Sequence, residues 1–244
     1  MTSQAVSAWE HDEYLPESRK LKKLSEVLEL SLDRLFSDSE PVWQLKDPNF
    51  NPDVLYPFLT GMSQAHGLSQ TAAALSFMRR AHRGQLREGT PVPYEVHPLT
   101  MACHALNMGL VNDDVLAACL LHDVVEDTDA KLDELPVGEK VRKAVRLLSY
   151  NTYDERRPDL DEVYYGNIAG NSLACLVKCL DRCNNLSGAA DGFGKERMEA
   201  FIRLTETYVL PLLDRVSSVF EWKSAAWLLR YQMVSMLETM KRLF

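Results

Sequence analysis

Four polar residues close an otherwise apolar stretch in Leu120-Leu121-His122-Asp123-Val124-Val125-Glu126-Asp127-Thr128. His122 and Glu126 are four apart, as are Asp123 and Asp127, so on a helix each pair stacks on one side. A neutral imidazole beside carboxylates is a mixed nitrogen and oxygen donor set, suited to Mn²⁺, Fe²⁺ or Zn²⁺. A His-Asp dipeptide alone is also what a helix end meeting solvent contains. Two further carboxylates could be plainly solvated, or could cap the next segment through Asp127-Thr128. The surrounding residues decide between these readings.

Upstream stands Arg80-Ala81-His82-Arg83-Gly84-Gln85-Leu86-Arg87, followed by Pro93-Tyr94-Glu95-Val96-His97-Pro98. Arg83 and Arg87 run into a loop, where guanidinium forks suit phosphate oxygens. The Tyr94 ring could stack on a base or pack the loop. Downstream stands Leu176-Val177-Lys178-Cys179-Leu180-Asp181-Arg182-Cys183-Asn184-Asn185. On a helix, Lys178 at i−3 and Asn185 at i+4 share the face of Asp181. Lys178 is expected to meet a phosphate. Cys175, Cys179 and Cys183 form an i, i+4, i+8 stripe, and Cys179 and Cys183 lie roughly opposite Asp181 around the helix. They read as small buried hydrophobes and not as metal ligands.

The motifs AHxGQxR, PYxxHP, LLHDVVEDT and VKxxDRxxN occur here in order, and the pattern spans about residues 70–215. In them the chain resembles the HD-domain hydrolases of the RelA/SpoT alarmone family, in particular the stand-alone small alarmone hydrolases. The resemblance implies an all-α helical bundle that binds one Mn²⁺, or another divalent ion. By motif, the implied ligands are His82, His122, Asp123 and Asp181. The implied reaction removes the 3′-diphosphate of guanosine tetra- or pentaphosphate as pyrophosphate, leaving GDP or GTP. Glu126 and Asp127 match the family's Glu-Asp pair, expected to position or deprotonate the attacking water. Arg83, Arg87, Lys178 and Asn185 are the expected substrate contacts. His97 is a motif histidine expected to support the centre or start a helix, not to ligate. Asn184 stands where the family's DRLHN form often has histidine, which leaves room for a different substrate preference.

Helical spacing dominates the elements that must position these groups. Helices are predicted over Leu21 to Phe36, Thr71 to His82, His97 to about Gly109, and from Asn112 or Asp113 through Val125. Further helices fit Gly138–Ser149, Asp159–Ile168, Ser172–Leu186, Lys195–Asp214 and Glu221–Leu243, with Pro211 expected to kink or split the penultimate one. Asp47 to Pro57, with three prolines and two asparagines, reads as a loop with one short helix. Gly192 to Arg197 reads as a loop and helix start, although Lys195 or Arg197 could close over a nucleotide. No segment alternates like a strand. The expected organisation is a helical extension over residues 1–65, the hydrolase domain over 66–220 and a packing helix over 221–244. About 30 residues follow Asp214, too few for a synthetase domain, so no synthetase activity is expected.

The 244 residues are 46% hydrophobic and 25% charged, an ordinary globular balance. Lys and Arg number 27 against 35 Asp and Glu, for a net charge of −8. That disfavours general binding to nucleic acid or anionic lipid. A divalent cation with Arg83, Arg87 and Lys178 would attract a polyphosphate locally. The longest apolar run, Val115 to Leu121, is far below the roughly 18 residues of a membrane helix. No signal peptide is visible, and five cysteines without a CxxC fit a reducing cytoplasm. The partner is expected to be a small nucleotide, and a homo-oligomer is compatible with the sequence. Competing readings keep the centre but change the substrate to an adenosine alarmone, NADPH or another nucleotide. A non-enzymatic, antitoxin-like binding role is the remaining alternative.

Overall fold

The computed structural model describes residues 20–23, 47–87, 90–154, 156–188 and 194–243. The only part of the predicted helix Leu21 to Phe36 among these is residues 21–23, within a short helical stretch at 20–23; the rest lies outside the described residues, as do Gly192 and Phe193. Residues 42–244 form one compact unit, and residues 1–41 group separately.

The centre of the larger unit is a helix over Asp113–Leu121, here α4, flanked by α2 (Ser69–Ala81) and α3 (Val96–Asn107). Every residue from Val115 to Leu121 is buried, as a helix that is apolar all round must be. Before these come α1 (Pro52–Ala65), packed on α2 and α3, and after them a four-residue turn of helix, α5 (Val124–Asp127). α6 (Glu139–Leu148) and α8 (Ser172–Gly188) close over α4, with α7 (Leu160–Ala169) beside them. Three helices finish the chain: α9 (Lys195–Leu204), α10 (Leu210–Ser217) and α11 (Lys223–Leu243), the last packed on α8 and α10. Among the described residues there is no strand, only one isolated antiparallel bridge between Leu86 and Pro93. The fold is all-α, as expected. No described helix is long and apolar enough to cross a membrane.

Local chemistry explains most helix ends. Asn112 caps α4, its side chain accepting from the Val115 amide at 3.1 Å, the usual N-cap bond. Gly109 follows α3 with φ +82°, the left-handed stop that glycine takes without a Cβ clash. Besides a break at His122-Asp123 in the helix expected through Val125, two segments depart from expectation. Helix α1 begins at Pro52, inside the stretch read as a loop, because Asn51 accepts from the Asp53 amide and proline suits the first turn. The predicted helix over Lys195–Asp214 divides: residues Thr205–Val209 wind as a π-helix between α9 and α10. Pro211, near the start of α10, cannot donate to the preceding turn, and a π segment is one way to take up that defect.

Helix α2 has no capping side chain of its own. Asp113, from the start of α4, supplies it instead, accepting from the Gln70 amide (3.0 Å), the Thr71 amide (2.8 Å) and the Thr71 hydroxyl (2.8 Å). Asp113 thus locks together the two helices that lead to His82 and His122. Asp113→Ala should lower stability by about 1–2 kcal/mol. In a domain of this size that corresponds to a Tm drop of about 2–8 °C, measurable by calorimetry.

Candidate active site

Helix α4 stops at Leu121, so His122 and Asp123 stand at a break before α5 instead of inside one continuous helix. The break turns both side chains toward the first turn of α3 and the middle of α8. His122 Nε2 lies 2.8 Å from Asp123 Oδ2 and 3.2 Å from His97 Nε2. His97 Nε2 lies 3.6 Å from Asp123 Oδ2 and 3.3 Å from Asp181 Oδ1, and His122 Nε2 lies 3.8 Å from Asp181 Oδ1. The two imidazole nitrogens and the Asp123 oxygen therefore cluster, and Asp181 Oδ1 lies within 3.8 Å of both imidazole nitrogens. His97, His122 and Asp123 alone form a group compact enough to hold a metal ion. His97, His122 and Asp181 are buried.

The far side of each imidazole fixes its proton. His122 Nδ1 faces the Cys119 carbonyl oxygen at 2.9 Å, and His97 Nδ1 faces Asn184 Oδ1 at 2.6 Å. Both partners only accept, so both Nδ1 atoms donate. In the neutral rings this leaves two Nε2 lone pairs aimed at each other and at two carboxylates. The close group of His97, His122 and Asp123, with Asp181 beside both rings, fits a divalent cation. Without one, protons must compensate. Burial opposes the charged form of His122, but the Asp123 and Asp181 carboxylates outweigh it and push the imidazole up to about 10. Burial alone would raise the Asp123 carboxyl, yet His122 holds it well below the usual carboxylate range. Asp181 is likewise held low against its burial, first by Lys178 and then by the histidines.

His82 is not in this grouping. It is buried just past the end of α2, its Nδ1 2.7 Å from Gln85 Oε1, with its ring stacked on Tyr94 at 4.5 Å. Burial lowers its pKa, partly offset by Gln85 and the nearby carboxylates of Asp123 and Asp127. Tyr94 reaches past it to donate to Asp123 Oδ2 at 2.5 Å. The histidine at the converging position is His97, which the motif reading assigned a supporting role. The loop folds back through the Leu86–Pro93 bridge, which brings Tyr94 over His82 and delivers His97 to the start of α3. The sequence signal for His97 was its place in a helical first turn bearing a buried face.

Lys178, read as a phosphate contact, is engaged differently. Its ammonium pairs with Asp181 Oδ2 at 3.0 Å and lies 5.5 Å from the centre of the Tyr164 ring. It neutralises the outer oxygen of Asp181 and leaves Oδ1 for the centre. Asn185 donates to that Oδ1 at 2.6 Å and accepts from Arg87 Nη2 at 2.8 Å. The other terminal nitrogen of Arg87, Nη1, is buried with no hydrogen-bond partner among the described residues, a donor available to an anion. Arg83 is exposed. With Gly84, Gln85, Glu126 and Asp127 it lines an open cleft of about 700 Å³ beside the centre. Glu126 accepts from the Tyr150 amide at 2.7 Å. Its carboxyl is raised above the ordinary range, chiefly by burial and also by Asp123 and Asp127, against the pull of that amide. The site thus sets a group able to hold a cation beside a cleft lined by Arg83, Glu126 and Asp127, with Arg87 tied to Asn185 nearby.

No protein-family model matches the chain. Individual proteins do. The human guanosine-3′,5′-bis(diphosphate) 3′-pyrophosphohydrolase MESH1 is 41% identical over 146 residues, covering 54% of this chain and 79% of that protein. The Aquifex aeolicus guanosine-3′,5′-bis(diphosphate) 3′-pyrophosphohydrolase is 29% identical over 148 residues, 59% of this chain but 21% of that longer protein. The bifunctional (p)ppGpp synthase/hydrolase SpoT of Escherichia coli is 44% identical over 116 residues, 16% of its length. The chain therefore spans most of the small human relative and a minor part of the long bacterial ones. On this similarity, the protein belongs to the family of guanosine-3′,5′-bis(diphosphate) 3′-pyrophosphohydrolases.

Proposed function

We propose that the protein is a metal-dependent hydrolase that removes the 3′-diphosphate of ppGpp and pppGpp as pyrophosphate, leaving GDP or GTP. The observation that carries this reading is the close group of His97, His122 and Asp123, with Asp181 beside both rings, next to the cleft that Arg83, Glu126 and Asp127 line. Membership in a family whose relatives bear that activity in their names supports it. The proposed ligands are His97, His122, Asp123 and Asp181, and the mixed nitrogen and oxygen set suits Mn²⁺ among the divalent ions. His82 then acts behind Tyr94 and does not ligate. When bound, the cation would acidify water and offset charge on the phosphoryl oxygens.

The chain's own groups divide the remaining work. Water attacks the phosphorus joined to the 3′-oxygen; that P–O bond breaks, and the 3′-oxygen leaves and takes up a proton. Glu126, held by the Tyr150 amide, accepts the proton of the attacking water. Its raised pKa makes it a better base than an exposed carboxylate. Asp127 orients the water from the cleft side. Arg87, through its free Nη1, and Arg83 meet the diphosphate oxygens. Asn185 sets the Arg87 fork by accepting from its other arm. Lys178 keeps Asp181 ionised without touching substrate. Five free, buried cysteines are in keeping with a reducing cytoplasmic location for this enzyme.

Chelation tests the reading. Turnover of ppGpp should stop in EDTA and return on adding Mn²⁺; turnover indifferent to chelation would refute it. Glu126→Gln isolates the proposed base. It should lower kcat by about 10²–10⁴-fold with little change in Mn²⁺ affinity, read by parallel kinetics and calorimetric titration.

A further inference from the structure

The two imidazoles of the centre are held from behind in different ways. His122 Nδ1 donates to the Cys119 carbonyl oxygen, a backbone group that no substitution removes. His97 Nδ1 donates to Asn184 Oδ1 at 2.6 Å, a side chain from the buried part of α8. We propose that Asn184 is a positioning residue of the metal centre, whose amide oxygen keeps the His97 proton on Nδ1 and so keeps the Nε2 lone pair facing the cation. The proposal rests on the metal-dependent reading above.

His97 Nε2 faces His122 Nε2 at 3.2 Å, whose own proton sits on Nδ1, and Asp181 Oδ1 at 3.3 Å and Asp123 Oδ2 at 3.6 Å. These are acceptors. With no acceptor behind Nδ1, the single proton of the neutral ring would move to Nε2 and bond to a carboxylate there. A cation would then have to displace that proton and break that bond before it could bind. Asn184 removes the competition in advance, because its oxygen takes the proton on the side away from the centre. Partners of this kind behind ligating histidines set tautomer and ring orientation, and losing one weakens metal binding about 10- to 100-fold.

Asn184 also suits substitution. It forms part of the wall of a cavity of about 830 Å³ bounded by α1, α3, α8 and α11, beside Cys183, Ser187 and Gln232. A side chain of different shape at this position has space to turn into, so a packing defect need not accompany loss of the hydrogen bond.

The test compares Asn184→Leu, which removes the acceptor, with Asn184→Asp, which keeps one. Mn²⁺ affinity is measured by calorimetric titration of the metal-free full chain. The His97 tautomer is read from imidazole ¹⁵N shifts at alkaline pH. Asn184→Leu should bind Mn²⁺ about 10- to 100-fold more weakly and carry its proton on Nε2. Asn184→Asp should bind at least as tightly as the unmodified protein and keep the proton on Nδ1. The proposal is overturned if Asn184→Leu retains full affinity, or if its His97 proton stays on Nδ1. Weakened binding in Asn184→Asp would also overturn it, and that variant serves alone if the leucine variant does not fold. Failure of the unmodified protein to bind any divalent ion would instead refute the functional reading, while the tautomer measurement would still report on Asn184.

Discussion

Asp123→Ala should leave a folded protein that neither retains a divalent ion nor hydrolyses ppGpp. Asp123 Oδ2 lies 2.8 Å from His122 Nε2, 3.6 Å from His97 Nε2 and 2.5 Å from the Tyr94 hydroxyl. Its removal takes away a proposed ligand and releases Tyr94 from its acceptor. A bound cation contributes several kcal/mol of transition-state charge stabilisation. At about 1.4 kcal/mol per factor of ten, losing it lowers kcat/KM by about 10³-fold or more. The same substitution has a thermodynamic signature independent of turnover. A metal at 100 times its Kd stabilises the folded state by about 2.7 kcal/mol, and that should raise Tm by about 5–10 °C. The unmodified protein should show this rise with Mn²⁺, and Asp123→Ala should show none. A metal-dependent rise that survived in the variant would remove Asp123 from the ligand set.

The second large effect separates two histidines. His97→Ala should lose metal binding, whereas His82→Ala should keep it. Four-ligand structural metal sites in small domains bind with about 10–16 kcal/mol. One ligand of four then carries on the order of 3 kcal/mol, or about 100-fold in Kd. His82→Ala gives up the stack on Tyr94 and the Gln85 contact, which loosens the loop bearing Arg83 and Arg87. Its deficit should therefore appear in KM for the nucleotide, with Mn²⁺ stoichiometry intact. The opposite pattern, metal lost with His82 and kept without His97, would restore the ligand set implied by motif alone.

Much of the fold was legible because its strongest signals are local. Seven consecutive apolar residues, Val115 to Leu121, behind an Asn112 cap announce a buried central helix, and it forms as such. Gly109 stops α3 for the reason a glycine should. The start of α1 was missed because three prolines and two asparagines suggest a loop, while Asn51-Pro52 in fact builds a capped first turn. The division at Thr205–Val209 depends on how Pro211 meets the preceding turn, which periodicity does not encode.

At the site, the His122-Asp123 pair was legible as chemistry from residue type and spacing, whereas Asp181 entered only through the family resemblance. The choice between His82 and His97 was not legible. Both are motif histidines, fifteen positions apart, and which one faces the centre depends on how the intervening loop folds back and where Tyr94 lies. The role of Lys178 was similarly hidden. Sequence puts it on the face of Asp181, and the fold adds the Tyr164 ring beside the pair it forms with Asp181 Oδ2. Asn184 could be seen as a departure from the family's usual residue, but its bond to His97 spans 87 positions and needed the fold.

The most direct test of the central claim is the fate of oxygen during turnover. The Mn²⁺-loaded protein is incubated with ppGpp in ¹⁸O-labelled water, and the products are identified by ³¹P NMR and mass spectrometry. Attack at the phosphorus next to the 3′-oxygen predicts GDP and pyrophosphate in equal amounts, with the label in pyrophosphate and none in GDP. Release of inorganic phosphate with a 3′-monophosphate left on the nucleotide would contradict it, as would a metal-loaded protein that leaves ppGpp intact.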